Sequence, residues 1–331
     1  MQKPLSSANL ARLLLWSAAA LTHSGCVSQN VIDQLGPDRG LRAYSERAGL
    51  SQTLELSSTP FHAQTEYHCG PAALATVLNA SGVDIAPDAL ADAVFIPGRR
   101  GALQAEMLGT ARRHARLAYV LPPRLDALSR ELAAGRPVLV LQNLGSESTP
   151  QWHYAVVIGV DITGGNVVLR SGTTKRLVMN APAFDRTWRR AGRWAVVVLS
   201  PGELPAEIDR RAYLRAAAGL ERTAPGTVAG RAWRAAAELW PDDLAVLLGI
   251  ANANYAEGQL HDSAAALRRA VALHPDAGVA HHNLAHVLAE LGQLAAARVH
   301  AKRAVAIGGA EIQVFRATLT RLESDAGTPS N

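Results

Sequence analysis

Between residues 117 and 200 short apolar runs alternate with turn residues: LAYVL at 117–121, PVLVLQNL at 137–144, HYAVVIGVD at 153–161, NVVLRSG at 166–172, KRLVMN at 175–180 and RWAVVVLS at 193–200. Runs of this length, rich in valine and leucine and bounded by polar or glycine-containing stretches, predict strands. TGG at 163–165 predicts a hairpin turn between two of them. Upstream, the apolar spacing is helical from Cys69 to about Ala80, over 102–115 and over 124–134. Helices followed by adjacent antiparallel strands make residues 51–200 an α+β domain.

The pattern changes after Pro201. PGELP, within 201–206, reads as a linker, and 207–320 is almost wholly alanine-rich helix. A period of 34 runs through it: Trp240-Pro241 returns as His274-Pro275, EGQL at 257–260 as LGQL at 291–294, and RRAVAL at 268–273 as KRAVAI at 302–307. This period, with Ala236, Ala270 and Ala304 in register, resembles tetratricopeptide repeats over roughly 207–310. A helix pair of that kind cannot bury its apolar face alone, so the units must stack, and the stack is expected to bind a protein partner. Residues 321–331 are expected to be a disordered tail.

Composition narrows the function. Apolar residues make up 48% of the 331-residue chain and charged residues 18%, enough core for two packed domains. The net charge of +5 drops to +3 without residues 1–25, which hold Lys3 and Arg12 and no acid. So small and scattered an excess gives no case for nucleic acid, and RRHAR at 112–116 and RTWRR at 186–190 read as solvated helix faces. LLLWSAAAL at 13–21 is too short to span a bilayer but suits the core of a secretory signal. THSGC then ends at Cys26 and resembles a bacterial lipoprotein signal, implying lipidation of Cys26. The expected organisation is signal 1–25, tether 26–50, α+β domain 51–200, linker 201–206 and repeat domain 207–320. The expected location is the cell envelope, lipid-anchored to the membrane and facing the periplasm.

Only two cysteines are present, Cys26 and Cys69. Export favours disulfides, yet a lipidated Cys26 would leave Cys69 without a partner. Cys69 precedes Gly70-Pro71 and an alanine-rich helix, and proline is tolerated in a first helical turn. The amides and positive dipole end at such a start favour an anion, which is what a thiolate nucleophile needs and a packed cysteine does not. A nucleophile also needs a proton shuttle. His153, opening an apolar strand, fits; His68 is directed elsewhere by the helix, and His62 and His114 lack context. Gln64, with the amide of Cys69, could donate to an oxyanion.

Gln-x4-Cys-Gly-Pro at a helix start, then His-Tyr-x-Val-Val-x-Gly some 80 residues later, resembles the papain-like cysteine peptidases that cleave double-glycine leaders from bacteriocin precursors. It looks most like their stand-alone members. FIPGRRGALQAEM at 95–107 is similar to the segment joining their second and third helices, and the likeness covers about 55–200. The resemblance implies a papain-like fold with Cys69 as nucleophile, His153 as general base and acid, and Gln64 as oxyanion donor. The family orients its histidine with an aspartate in an Asp-Pro pair; the matching site here reads LRSG, with Ser171 in the aspartate's place. Asp161 is a poor substitute, because eight residues of extended strand put it roughly 26 Å from His153. The 163–165 turn instead returns 171–174 alongside, so Ser171, Thr173 or Thr174 could accept the imidazole N–H.

His281, His282 and His286 include an i, i+4 pair, but no acid completes a metal motif and the positions coincide with ordinary repeat-surface sites. No cofactor or metal is expected, and no glycine-rich phosphate loop is visible. The expected activity is cleavage of a peptide or protein substrate, recruited by the repeats. Two alternatives stay open: a non-catalytic peptide-binding adaptor, and a thiol acyltransferase using the same Cys–His pair.

Overall fold

The computed structural model describes residues 53–63, 69–96 and 101–324. The expected signal, Cys26, the tether, Gln64 and His68 lie outside these described residues. The described chain divides into two compact units, the first ending at Ala224 and the second beginning at Pro225.

In the first unit, nine strands and six helices follow one another: β1 (Leu54–Glu55), α1 (Cys69–Ala80), α2 (Asp88–Val94), β2 (Phe95–Ile96), β3 (Gly101–Ala102), α3 (Gln104–Arg113), β4 (Leu117–Val120), α4 (Leu125–Ala133), β5 (Val138–Asn143), β6 (Trp152–Asp161), β7 (Asn166–Ser171), β8 (Thr174–Asn180), α5 (Ala181–Arg189), β9 (Ala195–Leu199) and α6 (Arg210–Glu221). Strands β4-β9-β5-β6-β7-β8 form one sheet in that order, with β1 on β6, and β2 and β3 form a separate hairpin. Every pairing is antiparallel. Central strands β5 and β9 are buried along their whole length, which explains their unbroken apolar runs. Edge strand β8 is exposed at Thr174, Lys175 and Arg176, polar and charged residues of the kind that discourage further pairing.

The main core lies between α1 and the sheet, where Leu74, Val77 and Leu78 pack with Leu139, Leu141, Tyr154, Val156 and Val196. Burying a leucine side chain contributes about 1.5–3 kcal/mol, so this layer anchors α1, which begins at Cys69, on the strands. The basic stretches expected as solvated faces are in part fixed. Arg116 donates to Ser81 O at 2.9 Å, and Arg190 donates to Asn143 O at 3.0 Å. Arg112 lies over Gly219 of α6, where an added Cβ would fall 2.5 Å from its Cζ. The long aliphatic stems explain this, since they let an arginine cover apolar surface while its head finds a carbonyl.

Residues 201–206, expected as a linker, belong to the first unit, and so does α6, which was expected to open the repeats. Tyr119 OH donates to Glu207 O at 3.2 Å and accepts from Asp209 N at 2.9 Å. Buried Glu131 accepts from Ala206 N at 2.7 Å and from Arg136 at 2.7 Å, and Arg124 pairs with Glu207. Alanine-rich composition alone could not separate α6 from the helices after it.

The second unit holds α7 (Gly226–Leu239), α8 (Leu244–Ala256), α9 (Leu260–Leu273), α10 (Gly278–Glu290), α11 (Leu294–Ile307) and α12 (Ile312–Ser324). The sequence period of 34 reappears in helix starts, at 226, 260 and 294 and again at 244, 278 and 312. Gly258 and Gly292, also one period apart, have φ of +76° and +74° and end α8 and α10. Gln259 N and Gln293 N then bond back to Asn254 O and Leu288 O, each at 2.8 Å, a closure in which glycine's freedom at positive φ is used. The last helix continues to Ser324, past the expected start of the tail at 321. Helix α10 is buried almost all round, so His281, His282 and His286 are interior rather than surface residues. Neighbouring helices cover them: His281 Nδ1 lies 2.9 Å from His300 Nδ1, and the His282 ring lies 5.1 Å from that of Phe315.

Candidate active site

Cys69 is the first residue of α1 and is a free, partly exposed thiol. Helix α1 therefore presents the unpaired amides of its first turn where the sulfur sits. The residue after it must be small. A Cβ on Gly70 would lie 2.7 Å from the Ala102 Cβ and 3.8 Å from the Tyr154 ring. That close approach brings the helix start against both β3 and the beginning of β6. The Tyr154 hydroxyl donates to Ala102 O at 3.2 Å, tying β3 to the strand that carries His153. Burial, and then the nearby Cys69, push the Tyr154 phenol far above its ordinary range, so it stays a neutral donor.

His153 is the second residue of β6, and its Nε2 lies 2.8 Å from Ser171 Oγ at the end of β7. The hairpin at 163–165 makes this meeting possible by returning β7 beside β6, with Val156 opposite Arg170. Of the three hydroxyls left open by the sequence, Ser171 is the one bonded to the imidazole. With Nε2 engaged, Nδ1 is the nitrogen left for a thiol. No hydrogen bond joins Cys69 Sγ to the imidazole among the described residues. Burial alone depresses the His153 pKa below the usual imidazole value, so the ring is neutral near pH 7. A neutral imidazole can accept a proton, which is the first task of a general base.

Three residues that sequence reasoning missed hold this corner in shape. Asn143, at the end of β5, accepts from Gly145 N at 3.0 Å and Gln151 N at 2.9 Å, knotting the 144–151 loop that leads into β6. An asparagine at a strand end before glycine is a turn signal, and QNLG carried it. Arg170, buried beside Ser171, donates to Ser57 O and Thr59 O at 2.8 Å and to Lys175 O at 2.5 Å. It thereby binds the 57–59 strap to the turn that presents Ser171. Gln142 pairs directly across from His153. Asp161 is occupied elsewhere: its Oδ1 accepts from Gly164 N at 2.9 Å, and that bond first of all lowers its pKa.

Residues 56–196 match the Peptidase_C39 like family. The crystal structure of a candidate C39-like peptidase from Bacillus anthracis aligns with a TM-score of 0.39 and 18% identity, over 45% of this chain and 98% of that one. No curated protein matches the chain.

Proposed function

We propose that this protein is an exported, lipid-anchored cysteine peptidase. Cys69 is its nucleophile, His153 its proton shuttle, Ser171 the orienting acceptor and Gln64 the oxyanion donor. The observation that carries the reading is the 2.8 Å bond from His153 to Ser171 at the strand end against which the Cys69 helix start packs. His153 takes the thiol proton as sulfur attacks the peptide carbonyl carbon, and the carbonyl π pair becomes the oxyanion held by Gln64 and a backbone amide. Collapse of that adduct breaks the C–N bond, and the imidazolium gives its proton to the leaving amine. Water, deprotonated by the same ring, then releases the acyl group and restores the thiol. Lipidation of Cys26 would supply the membrane anchor, and 225–324, as tetratricopeptide-type pairs, would recruit the substrate and raise its local concentration.

A second reading, the peptide-binding adaptor, is favoured by one observation: the His153 partner is a hydroxyl, which stabilises imidazolium less than a carboxylate does. Mass mapping of iodoacetamide alkylation at Cys69, together with peptide-library cleavage, separates the two. The peptidase reading expects cleavage by the full chain that is lost in Cys69→Ala, and alkylation that collapses in His153→Ala. Alkylation unaffected by His153→Ala, with no cleavage by the wild type, would sink it and leave the adaptor.

A further inference from the structure

We infer that Gln142 is a positioning residue for His153: its side chain walls the imidazole on the β5 side, opposite Ser171, and Thr187 of α5 locks that wall in place. This rests on His153 being the proton shuttle. Gln142 and His153 are directly opposite each other across β5 and β6, which puts their side chains on one side of the sheet with Cβ atoms about 4.5–5.5 Å apart. Ser171 reaches the same imidazole from β7, the strand on the other side of β6. The three side chains thus form a row across three neighbouring strands, with the histidine in the middle.

Gln142 is a costly residue to place there. It is 1% exposed in a strand whose other members, Asn143 apart, are apolar, and a buried amide needs a partner. That partner is Thr187, whose Oγ accepts from Gln142 Nε2 at 2.7 Å. The Thr187 hydroxyl in turn donates to Phe184 O at 2.8 Å, so its own proton is committed and only its lone pairs face the amide. The orientation of the Gln142 amide is therefore set by the backbone of α5. A leucine would fill the same strand position without needing any of this. What the amide adds is a fixed, polar, water-excluding surface beside the ring. The imidazole is then confined between two elements, in the plane that keeps Nε2 on Ser171 and Nδ1 free. Burial is also the sole cause of the low His153 pKa; no charged group contributes, although Arg190 is nearby on Asn143 O.

The test uses the full chain with 13C-labelled histidine, comparing Gln142→Ala, Gln142→Glu and Thr187→Val with the wild type. Two readouts are taken: the His153 ring titration, assigned by loss of the signal in His153→Ala, and the Cys69 alkylation rate at pH 7. In Gln142→Ala, water reaches the ring, so the titration midpoint moves upward, and alkylation slows about tenfold as the ring loses its plane. Gln142→Glu moves the midpoint further, by about one unit, because a carboxylate then faces the imidazolium. Thr187→Val, which keeps Gln142 but frees it, gives a smaller shift in the same direction. A merely structural glutamine would lower the melting temperature and leave the titration where it was. Folded Gln142→Ala and Thr187→Val proteins whose His153 titration and Cys69 reactivity match the wild type would overturn the inference; if Gln142→Ala does not fold, Thr187→Val decides. Those results would leave the peptidase reading intact, whereas reactivity independent of His153 would remove that reading and with it the premise here.

Discussion

Placing a carboxylate where Ser171 stands tests the electrostatics of the site directly. In the wild type, His153 Nε2 meets a neutral oxygen at 2.8 Å, and burial holds the ring's pKa below the usual imidazole value. In Ser171→Asp a carboxylate oxygen would lie about 3–4 Å from the ring. At an effective dielectric of about 20, opposite charges 4 Å apart attract by about 4 kcal/mol. At 1.36 kcal/mol per pKa unit, that corresponds to about three units upward as a ceiling. Ser171 is 9% exposed, so burying the carboxylate offsets part of this gain, and we expect a net rise of about one to two units. The assay is a histidine Cε1–H NMR titration of the full chain from pH 4 to 9. The loss of stability in acid should shrink with it. In the wild type, His153 binds its proton less well when folded, so its contribution is present above the unfolded value of about 6.5 and is lost as pH falls through the folded value. In the variant, the folded value moves up toward the unfolded one, so less stability is lost on acidification. A His153 midpoint in Ser171→Asp at or below that of the wild type would refute the reasoning.

Other perturbations follow from the same geometry. Arg170→Met should destabilise the first unit by about 3 kcal/mol in urea unfolding, because the carbonyls of Ser57, Thr59 and Lys175 lose their donor. Glu131→Ala should cost about 2–3 kcal/mol, since it leaves Arg136 and Ala206 N without their acceptor; an unchanged urea midpoint would contradict that account. The second unit should loosen in acid. Burial comes first in depressing His281, His282, His286 and His300, with His282 pushed down to about 4; Arg321, Arg303 and Arg268 add to the fall, and Glu290 and Asp276 oppose it. These rings bind protons better unfolded, so stability is kept above about pH 6.5 and lost as pH falls toward 4. Circular dichroism melts of the full chain across that range should show a transition that moves to lower temperature, and His282→Phe should blunt it.

Strands β4 to β9 were readable because each contains an apolar run with its own turn signals, and β5, β6, β7 and β9 fall within a residue or two of the expected bounds, whereas the two-residue strands β1, β2 and β3 carry no such signal. Cys69 at a helix start was readable from Gly-Pro, and Ser171 near His153 from the 163–165 turn. Other features had no local signature. Helix α2 is only seven residues long, too short for a periodic pattern to stand out. Gln142 looks like any polar residue interrupting a strand until pairing places it opposite His153. The interior position of His282 depends on helices that cover it from both sides in sequence, which periodicity along one helix does not register. Tyr119 likewise gives no hint in LAYVL that its hydroxyl will hold a segment some 90 residues further on.

That tyrosine settles where the chain can be divided. Because Tyr119, Glu131 and Arg124 all grip residues 206–209, the first unit carries its own C-terminal clasp, ending in α6. A protein cut back to Ser200 would strip the partners from a buried glutamate and a buried phenol together, and should come out insoluble. One cut after Ala224 keeps them. Proteases should find the same boundary, nicking the native chain around 222–226 and sparing 201–209 despite its prolines and glycine. Recombination between relatives would be expected to respect it too, moving the first unit with its clasp as one heritable piece and leaving the helical array free to be lengthened, shortened or exchanged.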